Sequence, residues 1–190
     1  FQQLPLNNTP VMGALYQGHD ERSIAYANIN TAGQIIDWQG SYMADDFADN
    51  LSQPIVHVKW WGSYIGGAAP PNPVQQFLIS FESDVPAQPG VPSHPGTPLL
   101  SQIVTAGPLT PGSGTFTETL ENGSVPEHLY RYNAELAVPF PEQKDTVYWL
   151  KIVALTADPT LAWGWHNRDY TTQNLLASPV PLPGETDIGP

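Results

Sequence analysis

A chain of 190 residues can bury one substantial core but hardly two, and 41% apolar residues with 11% aromatics is too rich a composition for a disordered segment. A formal charge of -12 with only six Lys and Arg argues against nucleic acid and anionic membranes as partners, since phosphate groups are gripped by clustered cations. Cys 0 excludes disulfides, thiolate nucleophiles and cysteine metal sites, while Pro 21 interrupts the chain too often for long helices.

The first residue is Phe1, which reads as trimming after export and leads us to expect a secreted, extracellular or cell-surface domain over residues 1–190. No apolar run approaches the roughly 20 residues that cross a bilayer, so no membrane insertion is expected. The opening stretch FQQLPLNNTP, residues 1–10, is proline-punctuated and reads as an extended arm, with Leu4 and Leu6 two apart. Weak strand signals follow at 35–38 (IIDW) and 41–47 (SYMADDF).

Residues 54–61, PIVHVKWW, alternate so that Val56, Val58 and Trp60 share the expected core face, opposite His57, Lys59 and Trp61. After a loop at 66–73, residues 76–82 set Phe77, Ile79 and Phe81 against Leu78, Ser80 and Glu82. The turn chemistry of 84–98 and 106–114 predicts loops, with short strands at 99–104, 115–120 and 128–136 between and after them. Residues 146–155, TVYWLKIVAL, are apolar on both faces and predict a central strand. A last strand is read at 161–166, and SPVPLPGETDIGP, residues 178–190, forms a second extended arm carrying Val180 and Leu182. About eight or nine strands with no helical period predict an all-β fold, a two-sheet antiparallel β-sandwich of jelly-roll type.

Six segments, ADDF at 44–47, VKWWGSYIGG at 58–67, FLISFESDVPA at 77–87, SHPG at 93–96, VYWLKIVAL at 147–155 and WGWHNRD at 163–169, occur in an order that resembles a family of bacterial secreted domains. That family is found in planctomycetes and beside PEP-type sorting signals, and its function is unassigned. The resemblance implies a β-sandwich and carries no catalytic residues.

Four aromatic side chains are candidates for ligand binding. Trp61 must point away from Trp60, Trp163 and Trp165 share a face, and with Tyr64 they would make a stacking platform for polysaccharide if they lie outside the core. Asp45, Asp46 and Asp84, with Asp49 nearby, offer either a calcium site or solvent-facing turns, and adjacent strand positions cannot serve one ion without a bulge. The histidines, His19, His57, His94, His128 and His166, show no metal-binding spacing. Glu82, Glu118, Glu121 and Glu135 could supply a glycosidase pair, but no catalytic motif accompanies them, and the expectation is no enzyme and no cofactor beyond calcium. Asn-x-Ser/Thr sequons stand at Asn7, Asn50 and Asn122. The function expected is that of an extracellular structural protein, self-assembling into a filament, sheath or matrix through strand-edge pairing of its arms. The alternative is a carbohydrate-binding module.

Overall fold

The computed structural model describes residues 20–64, 69–122 and 128–166, and both arms, His19 and Asn7 lie outside these. The described residues form eleven strands and no helix. In chain order they are β1 (Asp20–Arg22), β2 (Ile24–Ile29), β3 (Ile35–Ser41), β4 (Ala44–Phe47), β5 (Ile55–Tyr64), β6 (Gln76–Val85), β7 (His94–Ala106), β8 (Thr115–Asn122), β9 (Leu129–Phe140), β10 (Tyr148–Thr156) and β11 (Trp163–His166). All-β architecture is therefore as expected.

The strands are hydrogen-bonded along one path, β1-β11-β5-β9-β8-β7-β6-β10-β2-β3, with β4 beside β10. The expected pair of separate sheets is replaced by this single path, and the connection between its halves is thin: β7 and β8 meet in parallel at only Thr105↔Thr115 and Ala106↔Phe116. Ring contacts show what happens there. Phe77 on β6 lies 4.9 Å from Trp163 on β11, its neighbour five strands along the path. In a flat sheet five strand spacings amount to about 24 Å. The path must turn back on itself, and Phe77 also meets Trp60 of β5 at 5.2 Å, Phe116 of β8 at 4.9 Å and Tyr132 of β9 at 5.2 Å.

Gln102 holds the turn closed. On β9, residues past Glu135 have no partner on β8, and the Gln102 side chain of β7 takes over: its Nε2 donates to the Val138 carbonyl at 2.9 Å, and its Oε1 accepts from the Ala137 and Val138 amides at 2.9 and 3.1 Å. One amide side chain thus stands in for a missing strand.

The core follows the alternation. Phe77, Ile79 and Phe81 are buried, as are Val58 and Trp60, while Val56 is exposed. A register shift between Ile55 and His57 moves Ile55 onto the core instead, a one-residue effect no alternation can foresee. β10 is central, as read: β6 lies on one side and β4 and β2 share the other. The strands β1 and β2 fall in a segment for which no strand was read, and 94–98, read as loop, begins β7. Its Pro95 and Pro98 sit opposite Asp84 and Glu82 beside register shifts, where a missing N–H is tolerated.

Candidate interaction surface

The inner face of the first half of the path (β11, β5, β9, β8) is laid out in rows. Trp60, Tyr132 and Glu118 face one another across β5, β9 and β8, and Trp60 stacks on Tyr132 at 5.3 Å with 9° between the planes. Trp163 pairs with Tyr64 in register, and its ring atom Cζ2 stands 2.5 Å from where a Cβ on Gly62 would be. Glycine at 62 is what lets the indole lie there.

Polar atoms in this core are mostly satisfied. Trp163 Nε1 donates to Tyr132 Oη at 2.9 Å, Tyr64 Oη donates to Glu118 Oε2 at 2.5 Å, and the Val74 amide donates to Tyr64 Oη at 3.2 Å. Burial, then the neighbouring Glu118 carboxylate, pushes the Tyr64 hydroxyl well above the ordinary tyrosine range. Tyr132 is raised in the same direction, by burial first and then by Tyr64 and Glu118. Both are held as phenols.

These placements correct the expected stacking platform. Trp163 is 0% exposed and Tyr64 3%, so neither offers a ring face to a sugar. Trp165 shares Trp163's face as the spacing required, but that face is the core, against which Trp165 is half-buried. Trp61 does point outward, yet it is covered: its Nε1 donates to Glu121 Oε2 at 2.7 Å, Arg131 bonds the same carboxylate at 2.6 Å, and Lys59 Nζ lies 5.9 Å from the ring centre. The four rings are not brought onto one exposed face.

The acidic candidates also separate. Asp45 and Asp46 stand opposite Leu150 and Trp149 on alternate faces of β4, while Asp84 accepts from Trp149 Nε1 at 2.9 Å and Ser93 Oγ at 2.5 Å. Among the described residues no group of three His, Asp or Glu is placed to hold a metal ion. The glutamates considered for hydrolysis each have a partner: Glu82 the Lys151 ammonium, Glu118 Tyr64, Glu121 Trp61 and Arg131, and Glu135 the His57 ring at 2.9 Å.

The outer faces of the two halves differ. On the first, register rows set Trp61 beside Arg131 and Thr119, Lys59 beside Asn133 and Thr117, and His57 beside Glu135 and Thr115. That is a polar, mixed-charge face. On the second, Ile103 stands beside Leu78 and Leu78 beside Val153, and Val153, Leu155 and Ala25 form a buried cluster with Trp38 and Leu78 against it. Ile103 and Leu99 remain about half exposed, at 49% and 51%.

The ends of the path differ as sharply. β1 is three charged residues, DER, and a short charged strand is a poor template for another chain. β3, IIDWQGS, is seven residues long with Asp37 its one charge, and among the described residues it pairs only with β2. Ile35 and Ile36 are 52% and 65% exposed, and Ile29 and Tyr42 flank them at 45% and 49%. The β3 signal was in the sequence as four residues, IIDW, but nothing local marked it as terminal in a sheet.

Among the described residues, fold and surface together define an all-β domain whose sheet path ends in a short charged strand on one side and in β3 on the other. The chain belongs to a family described as a domain of unknown function, DUF7901, whose model matches residues 1–182. No curated protein and no solved structure matches it. Membership bears out the expectation of a family without an assigned function.

Proposed function

We propose that this domain is a non-enzymatic extracellular structural unit that assembles with copies of itself by adding extended chain to open sheet edges. The turned-back sheet acts in this reading as a β-sandwich, rigid because aromatic rings from both halves interlock. The observation that supports assembly is the contrast between β1 and β3: one terminal strand is short and charged, the other long and apolar. Natural sheets usually blunt such an edge with Lys, Pro or a bulge; β3 has neither Lys nor Pro, and its one irregularity, opposite Asn28 and Ile29, leaves Asp37–Ser41 in regular register with β2 and suited to accepting a strand. The arms 1–10 and 178–190, with apolar residues two apart, have the pattern of strands to be donated.

The test is light scattering and electron microscopy of the purified 190-residue chain, beside versions lacking 1–10 or 178–190. The full chain should form regular oligomers, and at least one truncation should reduce them to smaller folded species. A monomeric full chain at high concentration would overturn the reading. A glycan panel run alongside should show no binding that tracks with Trp61.

A further inference from the structure

We infer that Lys151 and Glu82 become joined, side chain to side chain, by an isopeptide bond that ties β10 to β6 within one copy of the chain. The register places them for it. Lys151 stands opposite Ser80 and Trp149 opposite Glu82, so Lys151 and Glu82 are diagonal neighbours on one face of two antiparallel strands, within reach of long side chains. Lys151 Nζ is in direct contact with Glu82 Oε1, and among the described ion pairs it is the one cation on that carboxylate. The two side chains are 24% and 4% exposed, so little water reaches the contact. A pair held there recovers little of the hydration that its two charges gave up, whereas an amide in its place carries no charge to hydrate.

The groups that the chemistry needs are already in place. Ser80, itself buried, donates from Oγ to Glu82 Oε1 at 3.3 Å, and Ser101 Oγ lies 2.7 Å from Ser80 Oγ, where it can donate in turn. A proton passes from the ammonium to the carboxylate, and the freed Nζ lone pair attacks Cδ. The N–Cδ bond forms as the C=O electron pair moves onto oxygen, where the Ser80 hydroxyl stabilises the charge. A second Nζ proton goes to the leaving hydroxyl, the Cδ–O bond breaks and water departs, with the last proton kept on the amide nitrogen. No co-reactant is consumed. An amine and an acid in dilute water stay apart, but groups fixed in attacking geometry behave as if at an effective concentration on the order of 10⁵–10⁸ M.

The bond would do here what a disulfide does elsewhere. With Cys 0 the chain has no thiol to cross-link, and β6 and β10 are adjacent strands in the middle of the second half, between β7 on one side and β4 and β2 on the other. Joining them constrains the unfolded chain over the long segment between residues 82 and 151. Chain that has not yet joined holds the same groups as an ion pair, and removing Lys151 from it costs what the pair alone contributes.

Intact-mass spectrometry of the folded 190-residue chain tests it, beside Lys151→Arg, which keeps a cation against Glu82 and lacks the amine. The parent should be lighter than its sequence by one water, and digestion should release a branched peptide in which the Glu82 and Lys151 segments are linked. Lys151→Arg should have its full sequence mass. A folded parent at full sequence mass overturns the bond, and so does a lost water that maps to any other residues or persists in Lys151→Arg. Each of these results leaves the assembly reading untouched, because that reading fails on oligomeric state and not on mass.

Discussion

The two halves of the folded-back sheet keep their polar groups in opposite places. The first half carries tyrosine hydroxyls and the Glu118 carboxylate on its inner face, and the second presents mainly hydrocarbon inward, Ile24, Phe77, Ile79, Phe81, Ile152 and Ala154, with the hydroxyls of Tyr26 and Tyr148 bonded to backbone groups and no carboxylate among these. On the outside the order reverses. There the second half carries an apolar stripe, Ile103, Leu78, Val153 and Leu155, beside a polar end where Glu82 at 3% exposure meets the Lys151 ammonium, Asp84 accepts from Trp149, and Ser80 and Ser101 share a 2.7 Å hydrogen bond. An interior tolerates polar groups only when they are paired, and one tolerates exposed apolar surface best where another surface will cover it. In the proposed assembly the first half faces water and the second is the face that another copy covers.

The largest effect should come from removing the ring that joins the halves. Trp163 touches Phe77 of the second half and donates to Tyr132 of the first. Trp163→Ala leaves a cavity and an unpaired Tyr132 acceptor, and should cost about 3–5 kcal/mol in chemical denaturation. A cost below about 1 kcal/mol would mean the two halves do not rely on this contact.

The second half is probed by Lys151→Met. The ammonium is the only cation against Glu82 among the described ion pairs, and its side chain is 24% exposed while that of Glu82 is 4%. Losing it leaves the Glu82 carboxylate with the Ser80 hydroxyl at 3.3 Å, a loss that for a fully buried pair costs about 3–5 kcal/mol. Partial exposure of Lys151 lets water in, and we expect about 2 kcal/mol. The double variant Lys151→Met, Glu82→Leu should recover most of it, because apolar replacement suits a face that is already apolar.

Much of this was legible in the sequence, and the omissions have physical causes. Alternation placed Phe77, Ile79, Phe81, Val58 and Trp60 on the core because the period of two is a property of the strand alone. It could not place Val56, since the bulge at Ile55 and His57 depends on how β9 pairs. It correctly gave Trp163 and Trp165 a common face but not which side that face is on, and the answer lies in Gly62, about a hundred positions earlier in the chain, whose missing Cβ admits the indole. β2 escaped notice because IAYANI mixes two alanines with an asparagine, and its inner residue Ile24 is specified by the parallel pairing with β10. The edge character of β3 is likewise a fact of topology. The exposure of Ile36 has meaning only once β3 is known to end the path.

The smallest of these effects concerns the phenols of the first half, and it appears only in alkali. Tyr64 and Tyr132 are held above the ordinary value of 10.0, chiefly by burial. In the unfolded chain they lose their protons near pH 10, while in the folded protein they keep them. Below that pH both states are protonated and stability does not respond. Above it the unfolded state binds fewer protons, so stability falls by about 1.4 kcal/mol per pH unit for each phenol, until the folded hydroxyls themselves ionise. Urea unfolding at pH 9, 10 and 11 should therefore show a midpoint that holds and then drops, and tyrosinate absorbance should show two phenols that ionise only with unfolding. Tyr64→Phe should remove about half of the slope. A slope unchanged by that variant would place the alkaline sensitivity outside the first half, and the contrast between the halves would lose its chemical basis.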